Sequence, residues 1–96
     1  MRRVRFLDIA QTELDSAVAY YDQIHVSLSK RFISEIGAAL DFIRDFPEAS
    51  PSTPLGARRR NLKRFPYYLL YRLSGADIIV TAVAHVSRHP ERWRGR

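Results

Sequence analysis

A chain of 96 residues with a net charge of +6 has room for one compact core and not for two, so a single domain over residues 1–96 is expected. It contains no cysteine, which excludes disulfide staples and thiolate metal sites and suits a reducing compartment. The basic start Met1-Arg2-Arg3-Val4-Arg5-Phe6 lacks the apolar run of a signal peptide and no stretch approaches transmembrane length, so a cytoplasmic location is expected.

The charge is unevenly placed. Residues 1–50 carry 6 Lys and Arg against 8 Asp and Glu, whereas residues 51–96 carry 10 against 2, a net of +8. A basic half on an ordinary globular composition points to a polyanionic partner, either nucleic acid or an acidic protein segment; a generally solubilising basic surface is the plain alternative.

In chain order, Arg3 to Leu7 alternates charged and apolar residues and reads as a short strand. Asp8, with Gln11 three residues on, has the arrangement of a capping box and predicts a helix at once. Leu14, Ala17, Val18, Tyr21 and Ile24 then fall on one helical face, with Glu13, Asp15 and Asp22 elsewhere. His25-Val26-Ser27 breaks the pattern. Leu28, Phe32, Ile36, Ala39, Ile43 and Phe46 recur every three or four residues, which predicts a second helix antiparallel to the first. Gly37 within it costs about 1 kcal/mol relative to Ala, a cost that close helix contact would explain.

Three prolines and Gly56 between Phe46 and Gly56 stop the helix and make an irregular loop. Three strand-like runs follow: Arg58 to Arg64, Tyr67 to Leu73 and Ile78 to Val86. The order β-α-α-β-β-β predicts an α+β fold, a helical hairpin packed on a small antiparallel sheet. In the link Ser74-Gly75-Ala76-Asp77 a two-residue turn with Gly75 first sets Leu73 opposite Ile78. Continued without interruption, that register puts Tyr67, Leu69, Tyr71, Leu73, Ile78, Val80, Ala82 and Ala84 on the core face. Tyr68, Leu70, Arg72, Ile79, Thr81, Val83 and His85 are then expected on the opposite, functional face.

Arg58-Arg59-Arg60-Asn61-Leu62-Lys63-Arg64 is the densest charge run. With Leu62 pointing inward, Arg59, Asn61 and Lys63 join Arg72 on the functional face, where they can meet phosphates or carboxylates. A charged edge strand protected from aggregation has the same sequence pattern. Tyr67 and Tyr71 read as core residues, Tyr68 as an open candidate for stacking, and Trp93 as an anchor for the segment after the last strand. His85 and His89 can serve acid–base chemistry, but no third ligand stands at a useful spacing, so no metal site is expected. Pro90 marks a strand end or a short helical turn. No phosphate loop, nucleophile elbow or carboxylate pair is present.

Phe65-Pro66-Tyr67-Tyr68-Leu69-Leu70-Tyr71-Arg72-Leu73, followed by Ile78 to Val86 and the ending His85-x-x-Arg88-x-Pro90-x-x-Trp93, resembles the ParE/RelE superfamily of toxins, and most of all its ParE, or plasmid-stabilisation, branch. The resemblance implies a type II toxin neutralised by a ParD-like antitoxin in a hetero-oligomeric complex, with an acidic antitoxin tail that suits the basic second half. It also implies either of two targets. ParE-like members poison DNA gyrase and are not enzymes, whereas RelE-like members cleave messenger RNA on the ribosome. The ribonuclease branch places an arginine where this chain has Tyr68, a basic residue near Ser87, and a tyrosine where it has Trp93. Arg59 matches a basic position of that branch and Asn61 departs from another, while His85 or His89 could take over acid–base work.

The resulting expectation is a gyrase-poisoning toxin, with a ribosome-dependent endoribonuclease and a non-toxic nucleic-acid-binding module as alternatives. The candidate face for target or antitoxin is Arg59, Lys63, Tyr68, Arg72, His85, Arg88 and Trp93, with the antitoxin in the hairpin groove and along a sheet edge. No catalytic residue, metal or cofactor is expected, no membrane is involved, and nucleic acid is contacted mainly through the complex.

Overall fold

A computed structural model describes residues 2–88 and 93–96; the expectations for His89 and Pro90 lie outside the described residues. The elements are β1 (Arg3–Phe6), α1 (Asp8–Ile24), α2 (Val26–Asp45), β2 (Arg58–Asn61), β3 (Tyr67–Ser74) and β4 (Asp77–His85). The α+β class and the order β-α-α-β-β-β are therefore observed.

Both helices owe their existence to an apolar stripe, and their ends are closed by local bonds. The capping box expected at Asp8 does not form. Leu7 is the N-cap and makes no side-chain cap, while the Gln11 side chain donates to Asp15 at 3.0 Å. Asp8 is already inside the first turn, where its charge complements the helix dipole instead. Between the helices His25 is extended (φ −167°) and its Nδ1 accepts the backbone N–H of Ser27 at 3.0 Å, which caps α2. Gly37 is exposed and a Cβ there would meet nothing within 4 Å, so close helix contact does not explain it.

The four strands lie in the order β1-β4-β3-β2. β2 and β4 pair antiparallel with β3, but β1 pairs parallel with β4, Val4 opposite Ile78 and Phe6 opposite Val80. The sheet is thus mixed where an antiparallel one was expected. The reason lies in the connections: a two-residue turn imposes antiparallel pairing on β3 and β4, whereas the helical hairpin and two strands between β1 and β4 are crossover enough for a parallel pair.

Gly75 has φ +59° and Leu73 faces Ile78 as expected, but the register shifts at Leu70/Tyr71: Tyr71 pairs with Val80, and Leu70 with Ala82. Thr81 is the extra residue of a β-bulge, and beyond it every β4 side chain changes face. Val83 joins the main core, and Ala82 and Ala84 pass to the other side.

Two apolar layers result. Between helices and sheet, Ala17, Phe32, Ile36 and Ile43 pack on Leu69, Tyr71, Ile78, Val80 and Val83. Phe32 lies at the centre of an aromatic cluster, its ring 5.2 Å from those of Tyr21 and Phe65 and 5.3 Å from that of Tyr67. Tyr71, fully buried, donates its hydroxyl to the Pro47 carbonyl at 2.8 Å and so ties the proline-rich loop to β3. On the opposite face Tyr68, Leu70, Ala82 and Ala84 are covered by Ala57, Leu55 and Trp93.

Two substitutions of opposite sign test this packing in denaturant unfolding. Phe32→Ala should cost roughly 3–5 kcal/mol, the usual range for emptying an aromatic core site. Gly37→Ala should add about 0.5–1 kcal/mol through helix propensity alone.

Candidate functional site

The register between β2 and β3 sets Arg59 opposite Leu70 and Asn61 opposite Tyr68, so Arg59, Asn61, Tyr68 and Arg72 share the sheet face away from the helices. The Arg59 guanidinium lies 3.8 Å above the Tyr68 ring, and its Nε donates to Asn61 Oδ1 at 2.8 Å. Tyr68 meets Trp93 edge-on at 5.7 Å. Tyr68 and Trp93 are buried, at 3% and 4% exposure, so neither is a platform for a base. They form the bearing on which Arg59 is held, which fixes its planar fork before any ligand arrives.

The rest of the basic run divides by role. Arg58 donates to the carbonyls of Glu48 and Ser50 at 3.0 and 2.8 Å, and Arg60 stacks on Phe42 at 3.7 Å; both hold the fold together. β2 ends at Asn61. Glu35 of α2 accepts the backbone N–H groups of Lys63 and Arg64 at 2.9 and 3.0 Å, which leaves the Lys63 residue exposed beyond the strand. Among the described residues none of Arg59, Lys63 and Arg72 is in an ion pair.

His85 and Arg88 belong to a different place. His85 pairs with Tyr67, and their rings meet edge-on at 5.2 Å, so His85 stands on the helix side and not beside Arg72. The extra residue in β4 is the cause. The Nδ1 of His85 accepts the Ser87 N–H at 3.1 Å, which assigns the neutral ring's proton to Nε2. Arg88 is exposed. The expected seven-residue face is therefore two surfaces: Arg59 and Arg72 on the outer sheet face over buried Tyr68 and Trp93, and His85 with Arg88 in a groove.

That groove, of about 1120 Å³, runs between α1 and the end of β4 and is lined by Ile9, Tyr20, Tyr21, Ile24, Tyr67, Val83, His85 and Arg88 among others. Ile9, Tyr20 and Ile24 are exposed at 48%, 57% and 57%. An apolar stripe of this kind is more exposed than a helix packed in a core would leave it, and it lies beside Arg88. Sequence reasoning missed Ile9 and Tyr20 and placed Ile24 on the buried face. The doublet Tyr20-Tyr21 was the available signal, since one helix face cannot bury both. Burial pushes the Tyr67 and Tyr21 phenols above the ordinary 10.0; for Tyr67 the Arg88 charge opposes that shift, and for Tyr21 the neighbouring Tyr67 adds to it. Burial also raises Tyr68, against the pull of Arg59. Among the described residues no group of His, Asp and Glu side chains could hold a metal, and no helix is long and apolar enough to cross a membrane.

The model of the family described as "ParE toxin of type II toxin-antitoxin system, parDE" matches residues 4–90. The chain belongs to the ParE toxin family. A Sinorhizobium fredii protein described as a toxin candidate, Y4kP, is 28% identical over 85 residues, covering 88% of each chain. A chain of the chromosomal ParDE TA system from P. aeruginosa has the same fold, with a TM-score of 0.74 at 17% identity, over 88% of this chain and 96% of that one. In this ParE-family toxin the matched region takes in both surfaces, save for Trp93 and the residues after it.

The raised phenols give an alkaline test. A folded-state pKa above the unfolded one stabilises the protonated form, so this contribution is intact below pH 10 and is lost as pH rises through the raised values. The phenolate absorbance of Tyr21, Tyr67 and Tyr68 should develop late and together with unfolding, and Tyr67→Phe should remove part of the late phase. Titration of these three tyrosines at the free-tyrosine value with the fold intact would contradict the burial described.

Proposed function

We propose that this chain is a single toxin domain, spanning residues 1–96, that arrests growth by binding DNA gyrase and trapping it on cleaved DNA, and that a ParD-like antitoxin neutralises it in a hetero-oligomeric complex in the cytoplasm. The observation that supports a binding mode of action is what has become of the positions where the ribonuclease branch keeps its working groups. Tyr68 and Trp93 are buried against each other, and Ser87 is spent on His85. In-line cleavage of RNA needs a proton acceptor, a proton donor and charge stabilisation around one phosphate. Here Arg59 and His85, the groups suited to such work, stand on opposite faces of the sheet.

In this reading the target meets the pre-oriented Arg59, with Arg72, on the outer face, and Lys63 just beyond the end of β2 adds to the positive charge. The antitoxin lays an acidic, partly apolar segment into the groove of Tyr20, Ile24, His85 and Arg88. The two surfaces can then be separated by mutation. Expression of the chain alone should arrest growth with a DNA-damage response, and co-expression of the protein encoded beside it should restore growth. Arg59→Ala with Arg72→Ala should relieve the arrest while antitoxin capture persists; Tyr20→Asp should weaken capture by about ten-fold or more, as for a central interface aromatic. New 5′ ends in translated messages without DNA damage would move the assignment to messenger RNA cleavage.

A further inference from the structure

β1 covers only half of β4. Its last paired residue, Phe6, lies opposite Val80, and Leu7 donates the final bond of that edge, to the Val80 carbonyl at 3.0 Å. The next outward-facing groups of β4 are the Thr81 carbonyl and the Val83 N–H, which flank Ala82, itself paired with Leu70 of β3. A carbonyl and an N–H flanking one residue are what a single residue of a neighbouring strand takes up. Among the described residues no strand does so. Glu13 of α1 accepts the Val83 N–H at 3.1 Å, Arg96 donates to the Thr81 carbonyl at 3.2 Å, and the two are joined at 2.9 Å.

The run Ile78 to Ala84 is β-branched and apolar with no charge, the kind of edge that folded proteins cover or block. The pair is only partly exposed, 24% for the Glu13 side chain and 13% for that of Arg96, and it lies at the floor of the groove, which Glu13, Val83 and Arg96 help to line. The same contact fixes the segment that carries Trp93, whose ring closes the other face.

We propose that Glu13 and Arg96 form a releasable plug: they stand in for a missing residue of a β-strand, keep the β4 edge closed in the free chain, and give way when an extended acidic segment pairs with that edge. The occupant is acidic because release of Glu13 leaves Arg96, with Arg88, as uncompensated cations along the groove. This rests on the antitoxin reading above for the identity of the segment, but the plug itself does not.

Amide exchange on the isolated chain tests the plug first. Arg96→Ala and the near-isosteric Glu13→Gln should speed exchange at Val83, by about ten-fold for the alanine variant, since a hydrogen bond to a charged group is lost or weakened; Arg96→Lys should restore most of the protection. Unchanged exchange at Val83 in both variants, with melting transitions showing both folded, overturns the plug. Titration with the protein encoded beside this chain tests release. Glu13→Gln should bind it more tightly, by about three- to ten-fold, because the contact to be broken is weaker while Arg96 and Arg88 keep the charge that meets the acidic segment. Weaker binding would make the pair a docking contact and overturn release. Absence of any binding to the unaltered chain would overturn the antitoxin reading and release together, while the exchange result would still judge the plug.

Discussion

One extra residue in β4 decides where everything else in this molecule stands. Thr81 is inserted opposite the Leu70/Tyr71 step, so the strand presents Ile78 and Val80 to the helices, skips a place, and then presents Val83. The small side chains of Ala82 and Ala84 are thereby turned to the outer face, where they leave room for Trp93 against Tyr68. The same shift carries His85 round to Tyr67 and the groove. Thr81 is itself accommodated with its hydroxyl toward the Leu70 carbonyl at 3.4 Å and its own carbonyl toward Arg96. A bulge that re-aims side chains beside a working surface is a recurrent use of this irregularity.

The parts of the fold that follow from short-range rules were legible in the residues. The 3.6-residue stripe of Phe32, Ile36, Ala39 and Ile43, the break at His25 and the turn at Gly75 are each set by near neighbours. Pairing from that turn was correct as far as Tyr71 and Val80. The bulge was not legible, because Ala-Val-Ala offers two nearly equivalent alternations and only packing against Trp93 and the helices selects one. For the same reason Arg59, Asn61 and Arg72 were correctly grouped, lying on the hairpin's early register or on β2, whereas His85, beyond the bulge, was not. Tyr68 and Trp93 were read as open and as an anchor respectively; their mutual burial depends on a contact between segments far apart in the chain. The Glu13–Arg96 pair, separated by 83 positions, leaves no trace at short range.

The basic second half also resolves into distinct tasks. Arg58 and Arg60 are committed to the loop and to Phe42, and Arg96 to Glu13, so net charge overstates what is offered to a partner. Among the described residues what remains for recognition is Arg59, stiffened by Tyr68 and Asn61, with Arg72 on the outer sheet face, Arg88 beside the apolar stripe of α1, and the exposed Lys63, Arg64 and Arg94. A guanidinium held in place loses less conformational freedom on binding than a mobile one. On the proposed reading, a toxin that engages a target on one surface and an antitoxin on the other benefits from having two, because each can be optimised without disturbing the other.

The most direct measurement of the proposed activity is a cleavage assay with purified gyrase, supercoiled DNA and this chain, shown beforehand to be folded. Double-strand breaks should be trapped with protein attached to the DNA, in proportion to the toxin added, and Arg59→Ala with Arg72→Ala should reduce them. Supercoiling that proceeds unimpaired, with no trapped breaks from a folded chain, would contradict the proposed activity.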